Sequence, residues 1–323
     1  MSVQAVLRTQ QQLMTCAAAK PWPAQLQKSS HTLAATRSCQ ASLRPPSCTA
    51  TAEAQPSSMY DRPQLYDDAF SYRDFTAEAK FLLGAYQQHA ADAGKLNTVL
   101  ELGCGPANHA VQLAKRKAKV WALDANEAML AYARDKAAAA GVEVTAMDGD
   151  MSDFEVQGMS GSFDMVVCLL GTLSHMLDNK QAAACFKRVA QHLRPGGLFV
   201  LELAHPGDLF DGSLLLQDTG AEMWEVDKPG RKMMVVWGTD VDQFDPESQV
   251  LERTVSIHTM KDGNMDECLL EEVVAYRQFT MQEIDLLATL TGMEVVGVYG
   301  DLDLNVSLNH EDAFRLVMCL RKL

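Results

Sequence analysis

Two glycines separated by one residue follow an apolar run at Val99–Leu102 and form the loop Gly103-Cys104-Gly105-Pro106. Glycine lets the backbone approach a ligand closely and adopt φ values that other residues resist. A strand that leads into such a loop and then a helix marks several kinds of cofactor site. The third glycine of the dinucleotide fingerprint is missing, because Asn108 and His109 stand near its place. This absence disfavours a pyrophosphate site at the start of the helix.

Carboxylates accompany three successive strands in this part of the chain. Glu101 lies in the first strand, Asp124 follows the second, and Asp150 with Met151 follows the third. An acid at the end of the second strand can accept hydrogen bonds from both hydroxyls of a ribose. A carboxylate after the third strand can accept one from the adenine amino group. Structural roles remain alternatives: a helix cap for Asp124, a turn or cap for Asp150 and a half-buried strand acid for Glu101.

Two histidines lie just past strand ends. His175 follows the fourth apolar run and His205 the fifth, at the sheet edge where open α/β sheets bind ligands. Imidazole titrates near neutral pH, so either residue could accept a proton from a substrate. Helix capping or a structural hydrogen bond is the alternative for both.

Alternating strand and helix patterns position these residues. Near-continuously apolar strands joined by helices imply a mostly parallel sheet covered on both faces, the α/β class. Predicted strands are Thr98–Leu102, Lys119–Leu123, Val142–Ala146, Phe163–Leu170 and Leu198–Leu203. After the fifth strand, extended segments separated by turn formers indicate an antiparallel hairpin insert over residues 206–279. The insert could be a cap over the site or a dimer surface, and its Trp224 and Trp237 are expected in its core rather than as substrate walls. A helix capped by Thr280 and Glu283 and two further strands complete the pattern.

Five motifs in this order resemble those of the class I S-adenosylmethionine-dependent methyltransferases. They are E-L-G-C-G, A-L-D-A-N-E-A-M-L, D-G-D-M, F-D-M-V-V and L-R-P-G-G. The resemblance covers the chain from about Tyr66 onward, except for the insert, and implies a Rossmann-like seven-stranded sheet and S-adenosylmethionine as cofactor.

The resemblance also implies roles for individual residues. Glu101 would bind the methionine end of the cofactor, and Gly103 and Gly105 would line the loop beneath it. Asp124 would hold the ribose hydroxyls, while Asp150 and the Met151 backbone would frame the adenine. Three residues resemble the N-terminal segment that closes over the cofactor in small-molecule members, with ordinary helix packing as the alternative; they are Tyr66, Tyr72 and Arg73.

The expected activity is methyl transfer to nitrogen or oxygen of a small molecule, with His175 or His205 as a base where the acceptor must lose a proton. A protein or RNA acceptor is the nearest alternative. More distant alternatives are a nicotinamide-dependent oxidoreductase and a non-catalytic cofactor-binding protein. The net charge of −14 argues against nucleic acid as the main partner. No metal spacing is found, and no apolar run is long enough to span a membrane.

The first 52 residues differ in composition from the rest. Residues 1–52 contain no Asp or Glu but five Lys or Arg, and are rich in Ala, Ser and Thr. Such a stretch is typical of an organelle transit peptide, here for the chloroplast, with the mitochondrion or an unaddressed tail as alternatives. We therefore expect a leader over 1–52, a linker over 53–65 and the methyltransferase domain over 66–323, with a homodimer possible.

Overall fold

Apolar strands alternate with amphipathic helices along the chain, and this alternation generates the fold. A computed structural model of the protein describes residues 58–92, 94–210, 212–216 and 221–323. The leader expected over 1–52 lies outside these residues. The strands are β1 Thr98–Leu102, β2 Lys119–Asp124, β3 Val144–Asp148, β4 Phe163–Cys168, β5 Leu193–Ala204, β6 Glu222–Lys228, β7 Arg231–Trp237, β8 Gln243–Asp245, β9 Val250–Lys261, β10 Asn264–Arg277, β11 Met293–Tyr299 and β12 Arg315–Lys322.

Helices connect these strands. They are α1 Pro63–Ala69, α2 Phe75–His89, α3 Asn108–Lys115, α4 Glu127–Ala139, α5 Asn179–His192, α6 Pro206–Phe210, α7 Ser213–Leu216 and α8 Met281–Leu290, with 3₁₀ turns at Met59–Asp61 and Thr172–His175. The Thr280–Glu283 capping box predicted before α8 is present. No helix in the described ranges is long and apolar enough to cross a bilayer.

The predicted α/β fold is confirmed. A seven-stranded sheet has the order β11-β12-β5-β4-β1-β2-β3, and β12 runs antiparallel to its neighbours. Val99 packs on one face with Leu82 of α2 and Leu113 of α3. Leu100 points to the other face and packs with Phe186 of α5. This alternation follows from the two-residue period of a strand that is buried on both sides.

The insert forms a second sheet of antiparallel strands in the order β10-β9-β7-β6, with β8 paired to β9. Its apolar face packs on the segment that precedes the central sheet, where Met59, Leu65 and Ala69 are buried against Val235 and Ile257. The sequence indicates the four long strands of the insert but not β8, whose three residues carry no alternating pattern.

The ordered domain begins before Tyr66. Residues 58–65 were expected to belong to a linker, yet they contain a 3₁₀ turn and the start of α1, and Met59 is fully buried. The Met59 N–H donates a hydrogen bond of 2.8 Å to Glu272 Oε1, 213 residues away. Sequence periodicity misses this segment because its packing partners are so distant along the chain.

Two strands of the central sheet start elsewhere than the apolar pattern predicts. β3 begins two residues later than expected because its pairing with β2 runs from Val120↔Val144 to Asp124↔Asp148. β5 begins earlier, since the chain is already extended from Leu193 and passes through a bulge opposite β4. Gly197 is required in that bulge, because a Cβ there would lie 3.0 Å from the carbonyl oxygen of Phe163.

Candidate functional site

The glycine loop after β1 is tightly held by its neighbours. Gly103 and Gly105 have φ values of +58° and +49°, in the left-handed region that favours glycine. A Cβ on Gly103 would clash with Thr172 Cγ2. The Cys104 N–H donates to the Leu123 carbonyl oxygen at 2.9 Å. The loop is therefore fixed between the ends of β2 and β4, and its backbone lines the space between the loop and α1.

Asp124 is the residue that pins the loop from β2. Its Oδ2 accepts a 2.7 Å hydrogen bond from the Gly105 N–H, and its Oδ1 accepts one of 3.0 Å from the Asn126 N–H. Each carboxylate oxygen retains a further lone pair for a ligand hydroxyl. Burial raises the pKa of Asp124, while the hydrogen bond from Gly105 opposes that shift.

Glu101 is buried on β1 and faces the start of α3. Its Oε2 accepts a 2.9 Å hydrogen bond from the Ala110 N–H, and its Oε1 lies 3.4 Å from His109 Nδ1. The other ring nitrogen of His109 lies 2.7 Å from Glu78 Oε2. Burial of the ring opposes its charge, but the two carboxylates outweigh that cost and raise the pKa of His109 to about 9. His109 is therefore an imidazolium at neutral pH and bridges two carboxylates.

This buried charge network continues through Arg73. Arg73 Nε donates to Glu78 Oε1 at 2.8 Å, and its two terminal nitrogens bind Glu202 at 2.9 and 3.1 Å. Arg315 Nη1 adds a 2.8 Å bond to Glu202. The sequence predicts Arg73 as part of a segment that closes over the cofactor. In the structure its guanidinium instead binds the buried carboxylates of Glu78 and Glu202. Glu78, Glu202 and Arg315 were not predicted from the sequence, although Glu202 is an acid within the apolar run of β5, which is a usable signal.

A pocket lies between the glycine loop and α1. Its walls combine backbone, two acidic or basic side chains of the network and aromatic rings from the N-terminal segment. The lining residues are Tyr66, Phe70, Phe75, Glu101, Gly103, Cys104, Gly105, Pro106, Asn108, His109, Leu169, Leu170 and Thr172. The structure thus brings Tyr66 of the predicted closing segment together with Glu101, Gly103 and Gly105 of the E-L-G-C-G motif.

The structure places the other lid and adenine-side residues outside this pocket. Tyr72 is 60% exposed, and its ring lies 5.7 Å from that of Trp224 on the insert. Asp150 is exposed and follows β3 on the Asp124 side of the sheet, and its Oδ1 accepts a 2.7 Å hydrogen bond from the Ser152 N–H. Met151 is half-buried beside it. The adenine role of Asp150 and Met151 stays a prediction.

The two histidines have different environments. Both ring nitrogens of His205 bond to backbone: Nδ1 accepts from the Gly207 N–H at 3.0 Å, and Nε2 lies 3.0 Å from the Leu308 carbonyl oxygen. His205 therefore holds the backbone in place and has no lone pair left for a substrate proton in this structure. His175 Nε2 lies 3.0 Å from the Tyr60 hydroxyl, which is 3.4 Å from that of Tyr276. Burial lowers the pKa of His175, so its ring is neutral at pH 7.

The geometry suits the cofactor that the motifs imply. The carboxylates Glu101 and Asp124 are acceptors of the kind that an ammonium group and a ribose diol require, and the glycine loop leaves its backbone open between them. A Cβ on Gly105 would project toward Tyr66, 3.9 Å from its ring, into the pocket itself. Among the described residues, no group of three or more His, Cys, Asp or Glu is arranged to hold a metal ion.

Comparisons with known proteins agree with the site. Residues 99–197 match the family model described as a methyltransferase domain. The chain is 28% identical over 204 residues to a cypemycin N-terminal methyltransferase from a Streptomyces species, an alignment that covers 63% of this chain and 75% of that protein. It is 31% identical to dTDP-4-amino-2,3,4,6-tetradeoxy-D-glucose N,N-dimethyltransferase of Saccharopolyspora spinosa, over 46% of this chain and 57% of that protein. Alignments with two other sugar N,N-dimethyltransferases also span little more than half of those proteins.

Solved structures share the fold over nearly their whole length. An S-adenosylmethionine-dependent methyltransferase from Clostridium acetobutylicum superposes with a TM-score of 0.63 at 18% identity, covering 82% of this chain and 99% of that one. The amino pentose methyltransferase CalS10 from Micromonospora echinaspora gives 0.61 at 22% identity, covering 84% and 99%. Residues 99–197 thus form a methyltransferase domain, and the chain has the fold of the S-adenosylmethionine-dependent methyltransferases.

Asp67 links α1 to the cofactor domain. Its carboxylate accepts hydrogen bonds from Lys136 Nζ at 2.7 Å, the Tyr132 hydroxyl at 2.8 Å and Asn108 Nδ2 at 2.9 Å. The preceding residue is Tyr66, whose ring lines the pocket. These bonds therefore hold α1, and with it Tyr66, against α3 and α4.

Replacing Asp67 with alanine should accelerate the release of S-adenosylhomocysteine about tenfold, because three hydrogen bonds that keep α1 down are lost. Stopped-flow displacement would measure the rate. Glu127→Ala is the matched control, since it removes an exposed ion pair on α4 that does not touch α1. Equal release rates in Asp67→Ala and the wild type would show that α1 does not gate the pocket.

Proposed function

We propose that the protein transfers the methyl group of S-adenosylmethionine to an amine nitrogen of a small molecule. The names of several relatives, sugar N,N-dimethyltransferases and an N-terminal methyltransferase, specify methylation of nitrogen. They favour nitrogen over oxygen as the acceptor atom. A macromolecular acceptor is the remaining alternative. Location in the chloroplast and assembly as a homodimer stay predictions from the sequence.

One observation carries the proposal: a single short segment after β4 serves both halves of the reaction. Thr172 packs against Gly103 in the cofactor pocket, and His175, three residues later, contacts Tyr60 of the N-terminal segment. Leu170 and Gly171 hold this segment in shape with φ values of +53° and +69°. The Leu170 N–H donates to Glu202 Oε2 at 2.9 Å, so the buried charge network supports the strained turn.

One group of residues would bind the cofactor, and a different residue would transfer the proton. When bound, S-adenosylmethionine supplies a methyl group on a positively charged sulfur. Glu101, Asp124 and the glycine loop would hold it, while Tyr66 and Phe70 exclude water above the loop. In-line methyl transfer depends mainly on alignment of the nucleophile, so this rigid seating contributes directly to the rate.

An amine acceptor enters as an ammonium and must lose a proton to expose its lone pair. His175 is placed for this step: in the tautomer whose Nε2–H donates to the Tyr60 hydroxyl, the lone pair on Nδ1 accepts the proton. Its neutral state at pH 7 follows from burial, which lowers its pKa. The resulting imidazolium returns the proton to solvent after product release.

The test of the proposed function is a direct assay of the full-length protein with S-adenosylmethionine and a panel of small amines, small alcohols and a short peptide with a free N-terminus. We expect S-adenosylhomocysteine and an amine product heavier by one methylene group. Turnover with the alcohols alone, or with the peptide alone, would replace the proposal by O-methylation or protein methylation.

With an amine acceptor in hand, His175→Gln should lower kcat about 100-fold with little change in KM for the cofactor. The pKa of His175 lies below its usual value of 6.5, and the neutral form is the active one. The wild-type kcat should therefore rise through a limb below pH 6.5 and then level off. That limb should vanish in the variant. His205→Gln is the matched control and should keep it, because His205 bonds only to backbone.

A further inference from the structure

Six aromatic side chains form a closed circuit beside the cofactor pocket. Successive ring centroids are 4.7 to 5.9 Å apart, and the last ring contacts the first. The order is Tyr60, Tyr66, Phe70, Trp237, Tyr276, His175 and back to Tyr60. A regular hexagon with this spacing has its centre about 5–6 Å from each vertex, the range in which a cation interacts favourably with an aromatic ring.

Three separate parts of the chain supply the circuit. Tyr60, Tyr66 and Phe70 come from the N-terminal segment, Trp237 and Tyr276 from the insert, and His175 from the turn after β4. Every one of the six side chains is half-buried. The aliphatic residues behind them are fully buried, including Met59, Met233, Val235, Val255 and Ile257. Solvent thus reaches the rings but not the core that supports them, as expected for the wall of a binding site.

The charges around the circuit favour a cation. Glu272 accepts a hydrogen bond from the N–H of Met59, the residue before Tyr60. Burial raises the pKa of Tyr60 and of Tyr276, and the negative charge of Glu272 adds to that shift. Two neighbouring cations are paired with acids: Arg73 with Glu202 and Glu78, and Arg253, which also donates to the Trp237 carbonyl oxygen, with Asp242. His175 is neutral, since burial lowers its pKa, and does not repel a positive ligand.

We propose that this aromatic circuit is the acceptor subsite and that it binds the ammonium group of a small aliphatic amine, unmethylated or partly methylated. The inference rests on the proposed function and specifies its substrate class. Tyr66 and Phe70 belong to both the circuit and the cofactor pocket, so an amine held there lies next to the methyl donor. A tertiary ammonium product keeps the same interactions with the rings, which permits more than one methylation of the same nitrogen.

Choline and its uncharged carbon isostere, 3,3-dimethylbutan-1-ol, distinguish cation recognition from simple apolar contact. Each would be titrated into the full-length protein saturated with S-adenosylhomocysteine, by calorimetry and tryptophan fluorescence. We expect choline to bind at least about tenfold more tightly than the isostere, because only the cation interacts with the ring quadrupoles. Equal affinity for the two, or no binding of choline, would overturn the subsite.

Variants of Trp237 localise the effect. Trp237→Leu should weaken choline binding about 5- to 30-fold, and Trp237→Phe should restore part of it. Trp224→Phe is the matched control: its ring lies 6.2 Å from Trp237 but outside the circuit, so choline affinity should stay within about twofold of the wild type. Should Trp237→Leu not fold, Tyr276→Leu and Tyr276→Phe replace that pair. Undiminished choline binding in the leucine variant would contradict the assignment.

Binding of S-adenosylhomocysteine distinguishes failure of the acceptor subsite from failure of the proposed methyltransferase function. The wild type and all ring variants outside the cofactor pocket should bind it equally. Failure of the wild type to bind it would remove the proposed function together with the subsite. Normal cofactor binding without discrimination between choline and its isostere would remove the subsite alone.

Discussion

Replacement of Asp124 with alanine should weaken S-adenosylhomocysteine binding by at least about 100-fold. A carboxylate that accepts hydrogen bonds from two ribose hydroxyls contributes about 1.5–3 kcal/mol through each of them. The same carboxylate holds the Gly105 N–H at 2.7 Å and the Asn126 N–H at 3.0 Å. Its removal therefore also frees the glycine loop, and the two losses act in the same direction.

Calorimetric titration of the full-length protein would measure this effect, with NAD(H) as a ligand that should give no signal. Asp148→Ala is the matched control. Asp148 ends β3 directly opposite Asp124 in the strand register and is exposed. Its replacement should change the affinity less than about threefold, since a solvated acid at this position has no role in the ribose site. An Asp124→Ala variant that binds as tightly as the wild type would rule out Asp124 as the ribose ligand.

Replacement of Glu202 with alanine should destabilise the fold by about 3–5 kcal/mol, the usual cost of leaving buried charges without their partner. Glu202 is 5% exposed and binds Arg73 through two hydrogen bonds and Arg315 through one. It also accepts the Leu170 N–H, so its loss removes support from the turn between the two halves of the site. Denaturant unfolding would measure the change.

The pH dependence of stability gives an independent check. Burial disfavours the charge of Glu202, but Arg73 and Arg315 outweigh it and lower the pKa from 4.5 to about 2. A depressed acid pKa stabilises the fold above the unfolded value of 4.5, and this contribution is lost as the pH falls from 4.5 toward 2. Glu202→Gln should flatten this part of the stability curve.

Glu294→Ala is the control for the stability measurement. Glu294 pairs with Arg321 at the surface, where the two side chains are 43% and 34% exposed. Solvent screens such a pair, so the expected loss is below about 1 kcal/mol. Equal losses for Glu202→Ala and Glu294→Ala would show that the buried network does not carry the stability assigned to it.

The sequence by itself determined the class of fold and the cofactor. Strand and helix periods are local properties, and a parallel sheet covered on both faces follows from apolar strands joined by helices. Gly103, Gly105 and Asp124 could be singled out because each stands at a strand end, where parallel strands direct their loops to one edge. The resemblance of the five motifs implied the seven-stranded sheet, which is confirmed, and S-adenosylmethionine as the cofactor, which the match to a methyltransferase domain supports.

Only the tertiary structure decided how the site is held and closed. Arg73 joins the pair of Glu78 and His109 to the pair of Glu202 and Arg315 in one network, although 242 positions separate its ends, and no local sequence pattern indicates such contacts. His175 and His205 look alike in the sequence, and their hydrogen-bond partners alone distinguish a potential base from a structural residue. The aromatic circuit likewise joins three distant parts of the chain. Long-range pairing of side chains depends on the complete fold, because each partner is brought into place by a different element.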